Sequence, residues 1–436
     1  MSFLDIFKGK KTKTKKRGYD GASKKARVSQ WLTSNRDANT TLEASLPTLR
    51  ERSRDLNRNN PYARKAKNVV TSNVIGKGIM TQIDGPRALQ DAWKAWADTS
   101  ACDYDGRLNL KGLQALVMDT IQESGEVLIR RRITSNSEYP FQFQVLEPDF
   151  LASNASPKTS GNNVIQGIEF DKNGKRVGYH LYEQHPGSNK STTKYNFISV
   201  DEVEHIYRQE RPGQVRGVPW AAPVIIRLKD LDDFEDAQLM RQKVAACFTA
   251  FVHDISADFD CEDTTDLGEK IEPALIEHLP PGKTVTFADP PGVENYKEFT
   301  SAQLRGVAAG YGISYEALTG DLTEVNFSSA RMGWIEMSRN IDSWRDQLII
   351  NSFLGRVTKD FLLMATLLGI STKGVVFTHI SPKREMIDPT KEIPAMVDAI
   401  RSGLVSRSAA VASMGQDPDT VFEQIKKDNE KADKLG

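Results

Sequence analysis

The sequence predicts an α+β fold, and three patterns carry that expectation. Hydrophobic residues across 125–210 change to a period of two, the spacing of half-buried strands. Two proline-free stretches, 224–252 and 329–368, have helical spacing over unusual lengths. An acidic segment with paired Pro-Pro-Gly turns lies between them.

In chain order, Leu42, Leu46, Leu49 and Leu56, then Ala66, Val69 and Val70, fall at spacings of three, four and seven. Pro61 follows Asn59-Asn60 and is placed to open a second helix, where its missing N–H costs nothing. Arg50, Arg52, Arg54, Arg58, Arg64, Lys65 and Lys67 decorate these helices, either as a solvated face or as part of an interface. Residues 88–98 and 108–124 also read as helices.

In the strand-rich block, Val127, Ile129, Arg131 and Ile133 alternate with Leu128, Arg130 and Arg132. Phe141, Phe143 and Val145 form a second run. Ile165–Phe170 and Val177–Tyr182 flank a turn at Asn173-Gly174, a strong hairpin signal. Phe197–Val200 and Val203–Tyr207 complete what reads as a small antiparallel β domain over 125–210.

On 224–252, Leu228, Leu231, Phe234, Ala237, Val244, Phe248 and Phe251 mark one face of a helix reaching ~43 Å at 1.5 Å per residue. Asp230, Asp232, Asp233, Glu235 and Asp236 lie near its start, where the helix dipole favours anions. Residues 254–277 hold nine acidic residues against one basic. With a short strand at Thr284–Ala288, residues 253–298 read as a small αβ unit. A shorter helix is expected at 300–311. In the second long run Trp334, Met337, Ile341, Trp344 and Leu348 step by three and four, with Gly355 and Gly369 placed to kink or end it. Residues 390–404 and 406–414 read as short helices, and the charged tail 422–436 is expected to fray.

Net charge is zero over 436 residues, but residues 1–67 hold 18 Lys/Arg against 6 Asp/Glu. The remainder carries the opposite imbalance, so a basic arm precedes an acidic body that repels nucleic acid. Seven of the ten residues 8–17 are basic, which suits a solvated tail and equally an arm that binds phosphate or carboxylate. The most apolar stretch, Phe361–Ile370, is about half a membrane span. No apolar segment of signal-peptide type follows the start. Cys102, Cys247 and Cys261 form no CxxC pair and read as buried thiols in a reducing compartment.

Signatures of catalysis are weak. Gly282-Lys283-Thr284 ends like a phosphate-binding P-loop, but Glu277 stands where the motif requires glycine. There is no HExxH, no GxSxG, and no G-x-G-x-x-G opening a helix after a strand. The six histidines show no ligand spacing and read as surface or packed side chains. Asp258-Phe-Asp260-Cys-Glu262-Asp263 loosely follows a calcium loop but has Asp263 where the sharp turn needs glycine. No metal and no cofactor is expected. The long helices instead suggest burial against neighbouring copies, and Gly320–Ser328 forms a polar connector between helices.

Four motifs then carry a resemblance. Arg52-Ser53-Arg54-Asp55-Leu56 with Arg58-Asn59-Asn60-Pro61-Tyr62-Ala63 resembles the N-terminal signature of portal proteins from lambda-type tailed bacteriophages. Glu210-Arg211-Pro212-Gly213-Gln214 with Arg216-Gly217-Val218-Pro219 resembles their central motif. A third match is Ser314-Tyr315-Glu316, Leu318, Asp321 and Asn326-Phe327-Ser328-Ser329 with Arg331, where Phe327 replaces the more usual tyrosine. The fourth is Asp388-Pro389 with Lys391-Glu392, then Ile400, Gly403-Leu404, Gly415 and Asp417. The lysine-rich first 27 residues fall outside the pattern.

The resemblance implies a ring-forming structural protein of the virion, usually of twelve subunits, through which double-stranded DNA is packaged and ejected without sequence recognition. It implies a wing over 40–223 after a basic arm at 1–39, with stem helices at 224–252 and 299–311. A clip would span 253–298, a tunnel loop 312–330, a long wing helix 331–369, and a crown 370–436. Thr323, Glu324, Val325, Asn326, Phe327 and Ser328 are then the expected DNA contacts. Asp258, Asp260, Glu262, Asp263 and Asp266 are the expected docking residues for the large terminase subunit and later the head–tail connector. Capsid and scaffold proteins are the other implied partners; no membrane is. Assembly would take place in the bacterial cytoplasm. The competing reading is a DNA-processing enzyme, a nuclease or ATPase, with a basic DNA-binding tail.

Overall fold

A computed structural model describes residues 33–134, 138–189, 193–246, 250–254, 283–287, 296–323, 326–383, 385–386 and 388–435. The basic run 8–17, Cys247, Cys261 and most of the acidic segment lie outside the described residues.

Chain entry is set by caps. α1 (Ala38–Glu43) begins where the Asp37 carboxylate accepts the Thr40 N–H. α2 (Leu46–Asn59) and α3 (Pro61–Val74) meet at Asn60, whose extended backbone ends one helix and whose Oδ1 accepts the Ala63 N–H at 2.9 Å. Pro61 occupies the first turn, as the sequence predicts. β1 (Met80–Asp84) and α4 (Arg87–Ala97) follow. Asn109 then caps α5 (Leu110–Ser124), which ends at Gly125 with φ +90°.

The strand block makes two antiparallel sheets rather than one separate domain. β2 (Glu126–Ile133) lies between β3 (Phe141–Leu146) and β8 (Val203–Tyr207). β4 (Asn163–Ile165), β5 (Ile168–Phe170), β6 (Arg176–Tyr182) and β7 (Tyr195–Ser199) form the second sheet in chain order. Alternation explains why the block is not independent. Val127 and Ile129 face the helices and join the main core, whereas Leu128 joins a smaller core with Leu146, Ile168, Tyr179 and Leu181. The expected strand Ile165–Phe170 is broken by a reversal at Gln166 (φ +48°) and Gly167 (φ +85°). The hairpin at Asn173-Gly174 forms as predicted, with Asp171 accepting the Asn173 and Lys175 N–H groups.

α6 (Ile225–Ala246) stops short of the predicted 252, because Ala250–Asp254 extends as β9 and pairs with β10 (Lys283–Phe287). The aromatic and β-branched run around Phe251 favours a strand over a further helical turn. Twenty-two residues give α6 a length of ~33 Å. α7 (Tyr296–Tyr311) starts before the expected 300 and buries Leu304, Val307, Ala308 and Tyr311. A short α8 (Tyr315–Thr319) precedes the long helical run, which comprises α9 (Phe327–Trp344), a π-wound stretch over Arg345–Leu354, and α10 (Gly355–Leu367). The predicted stripe holds: Met337, Ile341, Trp344 and Leu348 are buried. Gly355 lies inside the run, and Gly369 (φ +75°) follows its end.

β11 (Val376–Ile380) returns to pair with β1, Met80 opposite Ile380. α11 (Pro389–Arg401) and α12 (Arg407–Ser413) match the sequence reading. Residues 422–435 continue α13 (Pro418–Leu435), which starts at the Asp417 cap with Gln82 Nε2 on Asp419 and is exposed from Phe422 onward. The main core runs from α2–α5 through the π-wound stretch and α10, with Trp96 fully buried and its Nε1–H on the Phe141 carbonyl at 2.9 Å. Cys102 is buried, and burial pushes its thiol up to about 12. Among the described residues, no helix is long and apolar enough to cross a membrane.

Candidate functional site

The connector after α8 is a set of stapled turns. Ser314 Oγ accepts the Ala317 N–H at 3.2 Å and starts α8, and Gly320 (φ +75°) ends it. Asp321 Oδ1 then accepts the Thr323 N–H and hydroxyl at 3.0 and 2.7 Å. Those bonds hold the Asp321 carboxyl below its usual value. The Tyr315 hydroxyl reaches Ser301 Oγ on α7 at 3.3 Å. On the far side Asn340 Nδ2 donates to the Gly312 carbonyl at 3.0 Å, tying the α7–α8 turn to α9. Leu322, Thr323 and Asn326 are exposed. Phe327 and Ser328 open α9. Glu324 and Val325 lie outside the described residues, as do Asp258, Asp260, Glu262, Asp263 and Asp266.

The second sequence motif, together with Arg50 just ahead of the first, meets a buried carboxylate, Glu126, which the sequence reading did not single out. Its side chain is wholly buried at the start of β2. Arg216 faces it, with Nη2–Oε1 at 2.7 Å and Nε at 2.9 Å from the same oxygen. The Gly217 N–H and His205 Nε2 each reach Oε2 at 2.8 Å. Arg50 Nη1 approaches Oε1 at 3.4 Å. Burial alone would raise the Glu126 carboxyl, but Arg216 and His205 overcome it and hold the group far below the usual glutamate range. Burial also lowers His205 against the opposing pull of Glu126. His205 Nδ1 has no hydrogen-bond partner, which fits a neutral ring donating from Nε2.

The same motifs clamp their surroundings. Ser53 donates to the Glu123 carbonyl at 2.7 Å, and Arg54 reaches Asp149 at 2.5 Å. Arg50 and Arg54 therefore leave the solvated face, while Arg52, Arg58, Arg64 and Lys65 stay on it. Gln214 Oε1 accepts the Glu210 and Arg211 N–H groups, closing the turn of the second motif. Asn60 Nδ2 reaches Asp232 at 2.7 Å and the Tyr62 hydroxyl reaches Glu235 at 3.3 Å, so the first motif also holds α6.

Gly217 permits the closest approach in this arrangement. A Cβ there would stand 2.2 Å from the Gly125 carbonyl oxygen and 2.7 Å from Glu126 Cβ. Gly217→Ala is expected to cost about 3 kcal/mol through overpacking against backbone, read as a lower urea midpoint at unchanged slope.

Among the described residues, Glu147, Asp149 and His185 bring three ligand-type atoms within 4.8 Å of one another. Arg54 already bonds Asp149 and lies 3.5 Å from Glu147, so a guanidinium supplies the positive charge there. His180 is likewise packed, against Glu169 at 2.9 Å.

A family model described as "Phage portal protein, lambda family" matches residues 24–345. The chain belongs to the lambda family of phage portal proteins. A probable portal protein of Halomonas phage phiHAP-1 is 28% identical, covering 92% of this chain and 83% of the relative. Portal protein B of Escherichia phage lambda is 23% identical, covering 86% and 81%. Among solved structures, a chain of the neck of a native gene transfer agent particle, computed with C12 symmetry, aligns at TM-score 0.48 and 14% identity over 84% of this chain and 93% of that one. A portal protein of the HK97 family from Corynebacterium diphtheriae aligns at TM-score 0.37 and 10% identity, covering 77% and 95%. Membership makes this portal chain a structural component of the virion, at the capsid vertex through which DNA is packaged and ejected, and not an enzyme. Among the motif residues, Ser53, Arg54, Asn60, Gln214, Arg216 and Ser314 fall on caps, turns and buried pairs.

Proposed function

We propose that copies of this chain close into a ring, twelve in the particle, around a channel for double-stranded DNA. The observation that supports a ring is the outer half of α6. Its burial fades after Phe234, and Leu239 and Met240 are 55% and 61% exposed. A helix of this length gains stability by covering such side chains with neighbours. In this reading residues 40–223 and the helix 331–369 form the wing, 224–252 and 299–311 the stem, 253–298 the clip, and 370–436 the crown.

Thr323, Glu324, Val325, Asn326, Phe327 and Ser328 approach the duplex from the tunnel loop. The body of the chain carries a net negative charge, which suits sliding over gripping. The acidic clip residues Asp258, Asp260, Glu262, Asp263 and Asp266 dock the large terminase subunit, then the head–tail connector. Capsid and scaffold proteins meet the outer surface and the basic arm during assembly in the bacterial cytoplasm.

Native mass spectrometry with negative-stain imaging tests the ring. A closed assembly of about a dozen chains is expected; a monomer or dimer at high concentration across salt conditions overturns it. Replacing residues 323–328 by Gly and Ser should leave the ring intact and abolish most DNA packaging. Full packaging by that variant would remove the loop from the mechanism.

A further inference from the structure

β2 carries three successive arginines, Arg130, Arg131 and Arg132, on alternating faces. Arg131 points to the helices and pairs with Asp360 at 2.8 Å. Arg130 and Arg132 lie on the opposite face, the face of Leu128, about 7 Å apart along the strand. Both line a cleft of about 460 Å³ between the two sheets, within the range of ligand sites. Arg132 Nε donates to Gln144 at 2.8 Å, and its guanidinium lies over the Tyr104 ring. Arg130 Nε is buried without a hydrogen-bond partner, as is Arg131 Nε.

The remaining lining narrows the chemistry. Leu146, Phe150 and Leu181 form an apolar floor. Asn196 and Glu183, hydrogen-bonded to each other, stand on the wall. Glu202 lies close enough to Arg130 to act on its charge. A polyanion would meet these carboxylates, and a duplex would reach none of the floor. A single carboxylate matches the planar fork of arginine, and an apolar side chain beside it would cover the floor.

We propose that this cleft binds an acidic peptide segment of a partner protein, a carboxylate held by Arg130 and Arg132 with an adjacent apolar residue on Leu146, Phe150 and Leu181. The site is lined by residues of the β sheets, none of them from the connector or the acidic segment, so it adds a docking point distinct from those proposed above.

The test pans a displayed random heptapeptide library on the assembled full-length chain, with the R130Q/R132Q variant as counter-selection. Enriched peptides should carry Asp or Glu next to an apolar residue. Their affinity by fluorescence anisotropy should fall about tenfold or more in the double variant, the worth of one lost charge-assisted pair. R130K/R132K keeps the charge without the fork and should retain intermediate binding at an unchanged melting temperature, which separates recognition from folding. The proposal is overturned if no acidic peptides are enriched, or if those enriched bind the double variant equally well. It is also overturned if inorganic phosphate or a short duplex DNA displaces them at comparable concentrations, which would mark a general anion site.

Discussion

Glu126→Gln is expected to lower the unfolding free energy by about 3–5 kcal/mol, the cost of breaking a fully buried ion pair from one side. The substitution keeps shape and volume, so no cavity enters the account. It leaves Arg216, 2% exposed in its side chain, without its carboxylate. Arg50 would keep only Asp149, at 3.7 Å. Urea unfolding of the two chains measures the difference. Arg216→Met added to Glu126→Gln should cost less than Arg216→Met alone, because the orphaned charge has then gone with its partner. Simple additivity would show that the two groups do not act as a unit.

The same cluster adds to the acid sensitivity of the fold, beside Asp149 and Glu169, whose carboxyls are also held below their usual value. Glu126 and His205 both bind protons less readily in the folded chain than in the unfolded one. Unfolding therefore takes up protons, and stability falls as pH drops. The loss starts below the ordinary histidine value of 6.5 and steepens below the ordinary glutamate value of 4.5. Glu126→Gln should remove its share of the lower step and leave a flatter profile, measured as denaturant midpoints across pH.

Local chemistry made much of this fold legible. Pro61 after an asparagine cap, the Asn173-Gly174 turn and the Met337–Leu348 stripe each depend on residues within a few positions. Pairings between distant segments were hidden. Met80 and Ile380 lie three hundred positions apart, and neither strand is strongly patterned. The end of α6 was misjudged for a related reason: Phe251 continues the helical stripe of Leu228 and Leu231, and only its pairing with β10 selects the extended form. Glu126 left one trace, an acid directly before Val127-Leu128-Ile129 and directly after a glycine. An acid heading an apolar strand needs a buried cation, and nothing near Glu126 in the sequence points to Arg216, ninety positions away. The connector residues came from family resemblance, since nothing in Thr323 or Asn326 alone points to DNA.

Trp344→Ala has the other large expected effect, about 3–5 kcal/mol as for other buried aromatic truncations. Trp344 is 9% exposed at the end of α9. Its ring lies 4.6 Å from that of Trp220, centroid to centroid, just before α6 begins. On another side it backs Gly312, where an added Cβ would stand 3.3 Å from the indole. One side chain therefore wedges together the base of α6, the α7–α8 turn and the long helix. Removing it opens a cavity that the backbone of three elements cannot close together. Asn340 would then hold the Gly312 carbonyl without the indole behind it, and the segment from Gly312 to Asn326 should become the first site of limited proteolysis. Trp344→Phe keeps an aromatic wedge and should lose less than half as much. Equal losses for Phe and Ala would mean that the contact with Trp220, rather than the filled volume, carries the junction. A protease pattern unchanged in Trp344→Ala would mean that Asn340, Ser314 and the Asp321–Thr323 turn suffice to hold the connector.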